Sequence, residues 1–326
     1  MESATKTGDL VRGPAIEGGA AEGAAAPLGQ AALSPPSRRP LAELARDYLA
    51  LTKPRIISLL LATTVATMFV ADPSGPGLIT IFCTMLGGYL AAGGAGAINH
   101  YLERDRDARM ARTCARPLVT GRIEPMHGLV FGIALGVLSI VELAVAVNVA
   151  AAALALAGLL GYVFVYTLWL KPLTPQNIVI GGAAGAVPPL VGWAAATGGL
   201  TLDALYPFAI VFLWTPPHFW ALSLLVKDDY DRAGIPMLPV ARGDLVTRRE
   251  ILVYAIALVA LTVAPFLTGL FGPLYLAAAL VLGAGFIGLA TALLVRPSAA
   301  AAVRLHLASL AYLTLLFGAM AADRVI

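Results

Sequence analysis

Nine apolar stretches on the scale of a bilayer crossing are joined by loops that alternately carry Lys or Arg and contain neither. This pattern leaves few folds open. In a bilayer every backbone polar group must be satisfied within the protein, so only helices and closed barrels span it. Runs of this length read as helices. They lie near 56–71, 78–98, 126–146, 149–168, 177–196, 206–226, 251–270, 273–295 and 302–322. The first is short, and Gly and Ala blur the edges of several. With 59% hydrophobic and only 13% charged residues, the chain is excluded from the ordinary soluble domains. The expected fold is all-α: a polytopic membrane protein with nine transmembrane helices.

The positive charges orient it. Lys6, Arg12, Arg38, Arg39, Arg46, Lys53 and Arg55 precede the first stretch, and Arg104, Arg106, Arg109, Arg112, Arg116 and Arg122 follow the second. Lys171 follows the fourth, a group from Lys227 to Arg249 the sixth, and Arg296 and Arg304 the eighth. The loops after the first, third, fifth and seventh contain no Lys or Arg. The positive-inside rule then predicts a cytoplasmic N-terminus and a C-terminus outside, in the periplasm of a bacterial inner membrane. Residues 1–40, rich in Gly, Ala and Pro with mixed charge, read as a disordered cytoplasmic segment. Glu2, Asp9, Glu17 and Glu22 argue against a mitochondrial transit peptide. No signal peptide is visible, so the first stretch is expected to act as the signal anchor. Residues 41–52 have apolar positions at helical spacing, as expected of a short helix lying on the membrane. Cys83 and Cys114 are too far apart in the topology to suggest a disulfide, and the net charge of +3 resides in the inner loops and calls for no nucleic acid.

Chemistry concentrates where the second stretch ends. Asn99, Glu103 and Asp107 are spaced by four, so on a helix they share one face. Hard oxygen donors of this kind suit Mg²⁺ together with the oxygens of a phosphorylated substrate, and the neighbouring arginines suit phosphate. A second acidic segment, VKDDYDRAGIPMLPVARGD, follows the sixth stretch and offers Asp228, Asp229 and Asp231. Four crossings separate the two segments, which returns them to one face. The plainer alternative for each is a solvated loop whose charges serve topology and solubility. Acids, however, add nothing to orientation, and both clusters sit where a helix leaves the membrane.

These residues resemble the UbiA superfamily of intramembrane prenyltransferases, whose mark is an Asn-x3-Asp-x3-Asp motif and a second Asp-rich motif on cytoplasmic loops after helices two and six. The resemblance runs from about Leu51 to the C-terminus. It includes LTKPRI at 51–56, NHYLERDRDARM at 99–110 and RPLVTGRI at 116–123. Within the superfamily, LKPLTPQNIVIGGAAGAVPPLVGWAAATG at 170–198, TPPHFWAL at 215–222 and DYDRAGIPMLPV at 229–240 resemble the haem-farnesylating branch. The fold implied is a UbiA-type membrane domain over 41–326, a helix bundle around a central cavity. The activity implied joins the farnesyl group of farnesyl diphosphate to a vinyl group of haem B with addition of water, giving haem O and diphosphate. Mg²⁺ is the implied cofactor, haem B is a substrate, and a haem A synthase is the expected partner downstream. Two positions depart from the family pattern: Glu103 stands where Asp is usual, and Pro172 where a basic residue is usual.

On this resemblance Asn99, Glu103, Asp107 and Asp229 are the expected catalytic metal ligands, with Asp228 as a neighbouring candidate. Lys53, Arg55, Arg112, Arg116, Lys171 and Lys227 are candidates for diphosphate or haem propionates. Tyr162, Tyr166, Trp169, Trp193, Phe219 and Trp220 are candidate walls for the prenyl chain and porphyrin, against the alternative that they pack helices. Among the four histidines, His218 follows Pro216 and Pro217, and an ionisable group inside a span is a functional candidate. Beside a broken helix it would bind haem, with Trp220 near it. Glu142 reads as interfacial. Two other functions compete: a UbiA-type prenyltransferase of quinone or chlorophyll pathways, and a haem-handling membrane protein without catalysis.

Overall fold

The computed structural model describes residues 40–326; the segment 1–40, expected to be disordered, lies outside them except for Pro40. Among the described residues there is no strand, and nine helices are long and apolar enough to cross a membrane. They overlap all nine expected stretches, and the largest differences are the second, which runs on to Asp107, and the seventh, which starts at Leu238.

A short helix α1 (Leu41–Thr52) precedes the bundle. It is followed directly by α2 (Pro54–Ala71). Between them Lys53 has φ 58° and ψ 53°, the sole non-glycine residue at positive φ among those described. The cause is local. Pro54 disfavours the right-handed helical region for the residue before it, and its own fixed φ suits the first turn of the next helix. The chain therefore turns sharply at Lys53, on a conformation that costs energy for a residue with a side chain.

Helix α3 (Leu78–Asp107) runs well past the expected edge at 98, so the Asn-Glu-Asp ladder is not on a loop but on the last turns of a continuous helix. It packs on α4 (Pro125–Ala146) through glycines. A Cβ on Gly94 would lie 2.6 Å from the Gly132 carbonyl oxygen and 2.9 Å from the Gly136 nitrogen. Two backbones in such contact need small residues on both helices, which is how membrane helices gain packing energy without a hydrophobic drive.

The fourth crossing, α5 (Val149–Leu173), changes its winding. It is α-helical over Val149–Leu160, π-helical over Gly161–Leu170, and α-helical again over Lys171–Leu173. Helix α6 (Asn177–Thr197) is pinched at Ala186, before Pro188 and Pro189. Helix α7 (Leu205–Leu225) continues through Pro216 and Pro217, so the expected break beside His218 is absent. A single-turn extension, α8 (Lys227–Arg232), follows. Helix α9 (Leu238–Leu267) kinks at Gly243, whose φ of 79° only glycine adopts freely. Helices α10 (Pro273–Val295) and α11 (Ala299–Val325) complete the chain.

The two ends of the bundle differ in purpose. At one end the side chain of Asp323 accepts hydrogen bonds from the backbone of Gly272 (2.5 Å) and Tyr275 (3.0 Å), capping the start of α10. Arg324 donates to the Val70 carbonyl at 3.2 Å, closing the end of α2. Those are structural closures. The opposite end gathers the α1–α2 turn, the C-terminal turns of α3, α5 and α7, and helix α8.

Candidate active site

The ladder is buried. Asn99, Glu103 and Asp107 expose only 2%, 2% and 1% of their surface. Burying polar and charged groups is costly unless each finds a partner, and here the partners come from three other segments: the α1–α2 turn, the stretch after α3, and α5. Lys171 Nζ lies 2.5 Å from Glu103 Oε1 and 2.6 Å from Oε2. Asn99 Nδ2 donates to Glu103 Oε2 at 2.9 Å and to Thr167 Oγ1 at 3.1 Å. Lys53 Nζ donates to Asn99 Oδ1 at 2.6 Å. Arg116 Nη1 holds Asp107 Oδ2 at 2.5 Å, while Asp107 Oδ1 is buried with no hydrogen-bond partner among the described residues.

The second acidic segment joins this end as the topology requires. Asp229 is buried, and its carboxylate accepts the backbone N–H of Ala111 at 3.1 Å and of Arg112 at 3.4 Å. Arg232 also bonds to it. Burial pushes this carboxyl upward, but the two amides and the Arg232 side chain outweigh that and hold it below the ordinary 3.8. Asp229 thus ties α8 to the loop that follows the ladder. Tyr230 lies beside it under the Arg112 guanidinium, 5.2 Å from the ring centroid. Burial raises the Tyr230 phenol above its usual range, so it stays neutral. Lys53 is drawn down to about 7 by burial and by the charge of Arg116.

Of the expected residues, Lys53, Arg116 and Lys171 touch the ladder and Arg112 touches the Asp229 segment. Others lie apart. Asp228 and Asp231 are exposed, as is Arg55. Lys227 pairs with Asp244 at 3.0 Å. Among the described residues no three His, Cys, Asp or Glu side chains form a group that could hold a metal ion by themselves. The carboxylates are instead neutralised one by one by basic side chains.

Next to the cluster lies an apolar cavity of about 240 Å³. Lys53, Thr52 and Tyr162 form its polar edge, and residues such as Leu60, Ala91 and Val191 form its walls. The Tyr162 and Tyr166 rings lie 5.5 Å apart, tilted by 34°, and each has a lysine over its ring at 5.9 Å: Lys53 for Tyr162, Lys171 for Tyr166.

His218 sits away from the ladder, between α7 and α11. Its ring lies between Trp214 (4.2 Å) and His306 (4.4 Å). The hydrogen bonds assign the protons. Ser309 Oγ donates its hydrogen to the His306 carbonyl at 2.6 Å, so toward His218 Nδ1, also at 2.6 Å, it accepts. His306 Nδ1 must likewise donate to the His218 carbonyl at 3.2 Å. In its neutral form each ring therefore has its lone pair on Nε2. Trp220 points elsewhere: it is buried, edge-on to Tyr254 at 5.4 Å. His100, beside Asn99 at the start of the ladder, is buried, with neither ring nitrogen bonded among the described residues.

Sequence reasoning missed Thr167, Tyr230 and Arg232. Thr167 gave no signal, as one β-branched residue in an apolar run. Arg232 and Tyr230 were legible only as neighbours of Asp229.

The chain is 52% identical over 283 residues to the protoheme IX farnesyltransferase of Roseiflexus sp. (strain RS-1), covering 87% of this chain and 53% of that one. It spans about half the length of that relative and of several other curated relatives it matches. Against the protoheme IX farnesyltransferase of Symbiobacterium thermophilum it is 50% identical over 283 residues, covering 86% of this chain and 95% of that one. A solved UbiA homolog from Archaeoglobus fulgidus bound to DMAPP and Mg²⁺ shares the fold, with a TM-score of 0.64 at 18% identity over 86% of this chain and 99% of that one. The family model of the UbiA prenyltransferases matches residues 59–317. Together with the nine apolar helices among the described residues, these matches make the protein a multi-pass membrane protein, and the chain belongs to the UbiA prenyltransferase family.

Proposed function

We propose that this chain transfers a farnesyl group from farnesyl diphosphate to a vinyl group of haem B, with addition of water, giving haem O and diphosphate. One observation carries the reading: buried carboxylates and an asparagine meet three basic side chains at the polar edge of an apolar cavity. The acceptor is drawn from the relatives, which are named protoheme IX farnesyltransferases at about half identity.

The donor set fits a divalent cation. Its atoms are hard oxygens, and Asp107 Oδ1 is a buried acceptor that no group on the described chain satisfies. Asn99, Glu103, Asp107 and Asp229 would hold Mg²⁺, as a related fold does with its own Mg²⁺ and DMAPP. Bound there, the ion would neutralise charge developing on the departing diphosphate.

The chain's own groups supply the rest. Lys53, Lys171 and Arg116 bind carboxylate or amide oxygens in this state, and a diphosphate is a richer anion for the same N–H donors. Their fixed positions amount to preorganised electrostatics for the leaving group, typically the largest catalytic contribution. As the allylic C–O bond breaks, its electron pair goes to diphosphate. The terminal vinyl carbon bonds to C1 of the farnesyl group, water oxygen bonds to the inner vinyl carbon, and a proton is released. The apolar cavity holds the chain and excludes water until then, and the Tyr162 face at its edge favours positive charge. For the porphyrin, the Nε2 lone pair of His218 supports iron ligation.

The charge alternation supports a cytoplasmic N-terminus, with the site facing the cytoplasm of a bacterial inner membrane. Membranes carrying the protein, supplied with haem B, farnesyl diphosphate and Mg²⁺, are expected to form farnesylated haem detectable by mass spectrometry. Prenylation of an aromatic quinone precursor instead, with haem untouched, would overturn the acceptor.

A further inference from the structure

We infer that Thr167, carried on the π-helical segment of α5, is the positioning residue that keeps the oxygen of the Asn99 amide turned toward the site. This rests on the proposed function, because it concerns how one of the proposed metal ligands is oriented.

The winding of α5 comes first. An α-helix turns about 100° per residue, which would set Tyr162 and Lys171, nine residues apart, roughly 180° apart on opposite faces. A π-helix, at roughly 4.4 residues per turn, brings the same two within about 20° of one another. The ten residues Gly161–Leu170 are wound in this way, and the Lys171 N–H reaches the Tyr166 carbonyl five residues back. Tyr162, Tyr166, Thr167 and Lys171 consequently share one face. Lys171 meets Glu103, Tyr162 edges the cavity, and Thr167 meets Asn99.

The hydrogen bonds then fix the amide. Thr167 has one hydroxyl hydrogen, and it goes to the Tyr162 carbonyl at 2.9 Å. Toward Asn99 its oxygen can therefore only accept. Asn99 must present N–H there, and its second N–H goes to Glu103. Both donors are consumed, so Oδ1 faces Lys53. A flipped amide would aim N–H groups at a lysine and an oxygen at an oxygen.

Two of these three locks belong to groups with other duties. Lys53 is a candidate for diphosphate and Glu103 for the metal, so each is called away as the site fills. Thr167 is tied to the main chain of α5 and has no other partner to serve. It holds the amide through the cycle.

Thr167→Val keeps the shape and removes the hydroxyl; Thr167→Ser restores it. Purified protein in detergent is titrated with Mn²⁺ in the presence of inorganic pyrophosphate and followed by electron paramagnetic resonance, which needs no haem. The expected result is Mn²⁺ affinity lowered about tenfold in Thr167→Val and within about twofold of the native value in Thr167→Ser. Turnover should fall with it while KM for haem B stays unchanged. A merely structural role would lower the folded fraction and leave the affinity of the folded protein intact. Equal affinity in native and Thr167→Val protein overturns the inference. Failure of the native protein to bind Mn²⁺ with pyrophosphate would instead overturn the metal site on which it rests.

Discussion

Breaking the Lys171–Glu103 pair tests how the buried cluster is held together. The charges approach to 2.5 Å, and both side chains are less than a tenth exposed. At an effective dielectric near 20, Coulomb attraction at that separation is roughly 7 kcal/mol, before dehydration of both ions is subtracted. Removing one partner of such a buried pair costs about 3–5 kcal/mol, mostly from the charge left alone. Glu103→Gln strands Lys171, and Lys171→Met strands Glu103 with only Asn99 as a donor. The double variant strands neither, so its loss should fall well short of the sum, with a coupling of about 3 kcal/mol. Apparent Tm values of the four proteins in detergent, followed by circular dichroism at one scan rate, read this directly. Additive Tm losses would refute the pairing. The same cycle with Mg²⁺ and pyrophosphate present should show less coupling, because Lys171 then serves the diphosphate.

Other variants test other parts. Glu103→Asp should retain activity, since a carboxylate remains, whereas Glu103→Gln loses most of it; equal turnover in haem farnesylation assays would remove Glu103 from the site. Gly94→Ala forces a methyl group to 2.6 Å from the Gly132 oxygen, so folded yield by size-exclusion chromatography should fall sharply. Gly288→Ala meets nothing within 4 Å and should fold normally. Ala92→Leu narrows the apolar cavity and should lower kcat/KM for farnesyl diphosphate more than for dimethylallyl diphosphate; equal losses would place the chain elsewhere. His218→Ala should alter the Soret band of added haem B while leaving Mn²⁺ and pyrophosphate binding unchanged, and an unaltered band would remove iron ligation from His218.

The helices were legible because nothing in a bilayer competes with hydrophobic length. The nine apolar runs therefore specify nine helices even where their edges are soft. Edges failed where polar residues continue a helix: α3 carries the buried ladder to Asp107 because the carboxylates have basic partners that hydropathy cannot see. The ladder's shared face followed from spacing alone. Its counter-ions did not, since Lys171 reaches Glu103 only through a change of helical winding that no residue pattern in GYVFVYTLWL announces. Proline misled at α7, where Pro216 and Pro217 suggested a break and the helix continues. Of the three aspartates, Asp228 and Asp231 are exposed, while Asp229 is buried. Its bonds to the Ala111 and Arg112 amides depend on tertiary contact and were not predictable from sequence.

A structure of the protein with Mg²⁺ and a farnesyl thiodiphosphate analogue tests the site most directly. The expected result is a metal with oxygen ligands at about 2.1 Å drawn from Asn99, Glu103, Asp107 and Asp229. Lys53, Lys171 and Arg116 should turn to the diphosphate, with the farnesyl chain in the cavity edged by Tyr162. A metal bound away from the ladder, or a chain lying outside that cavity with the Lys171–Glu103 pair intact, would contradict the account.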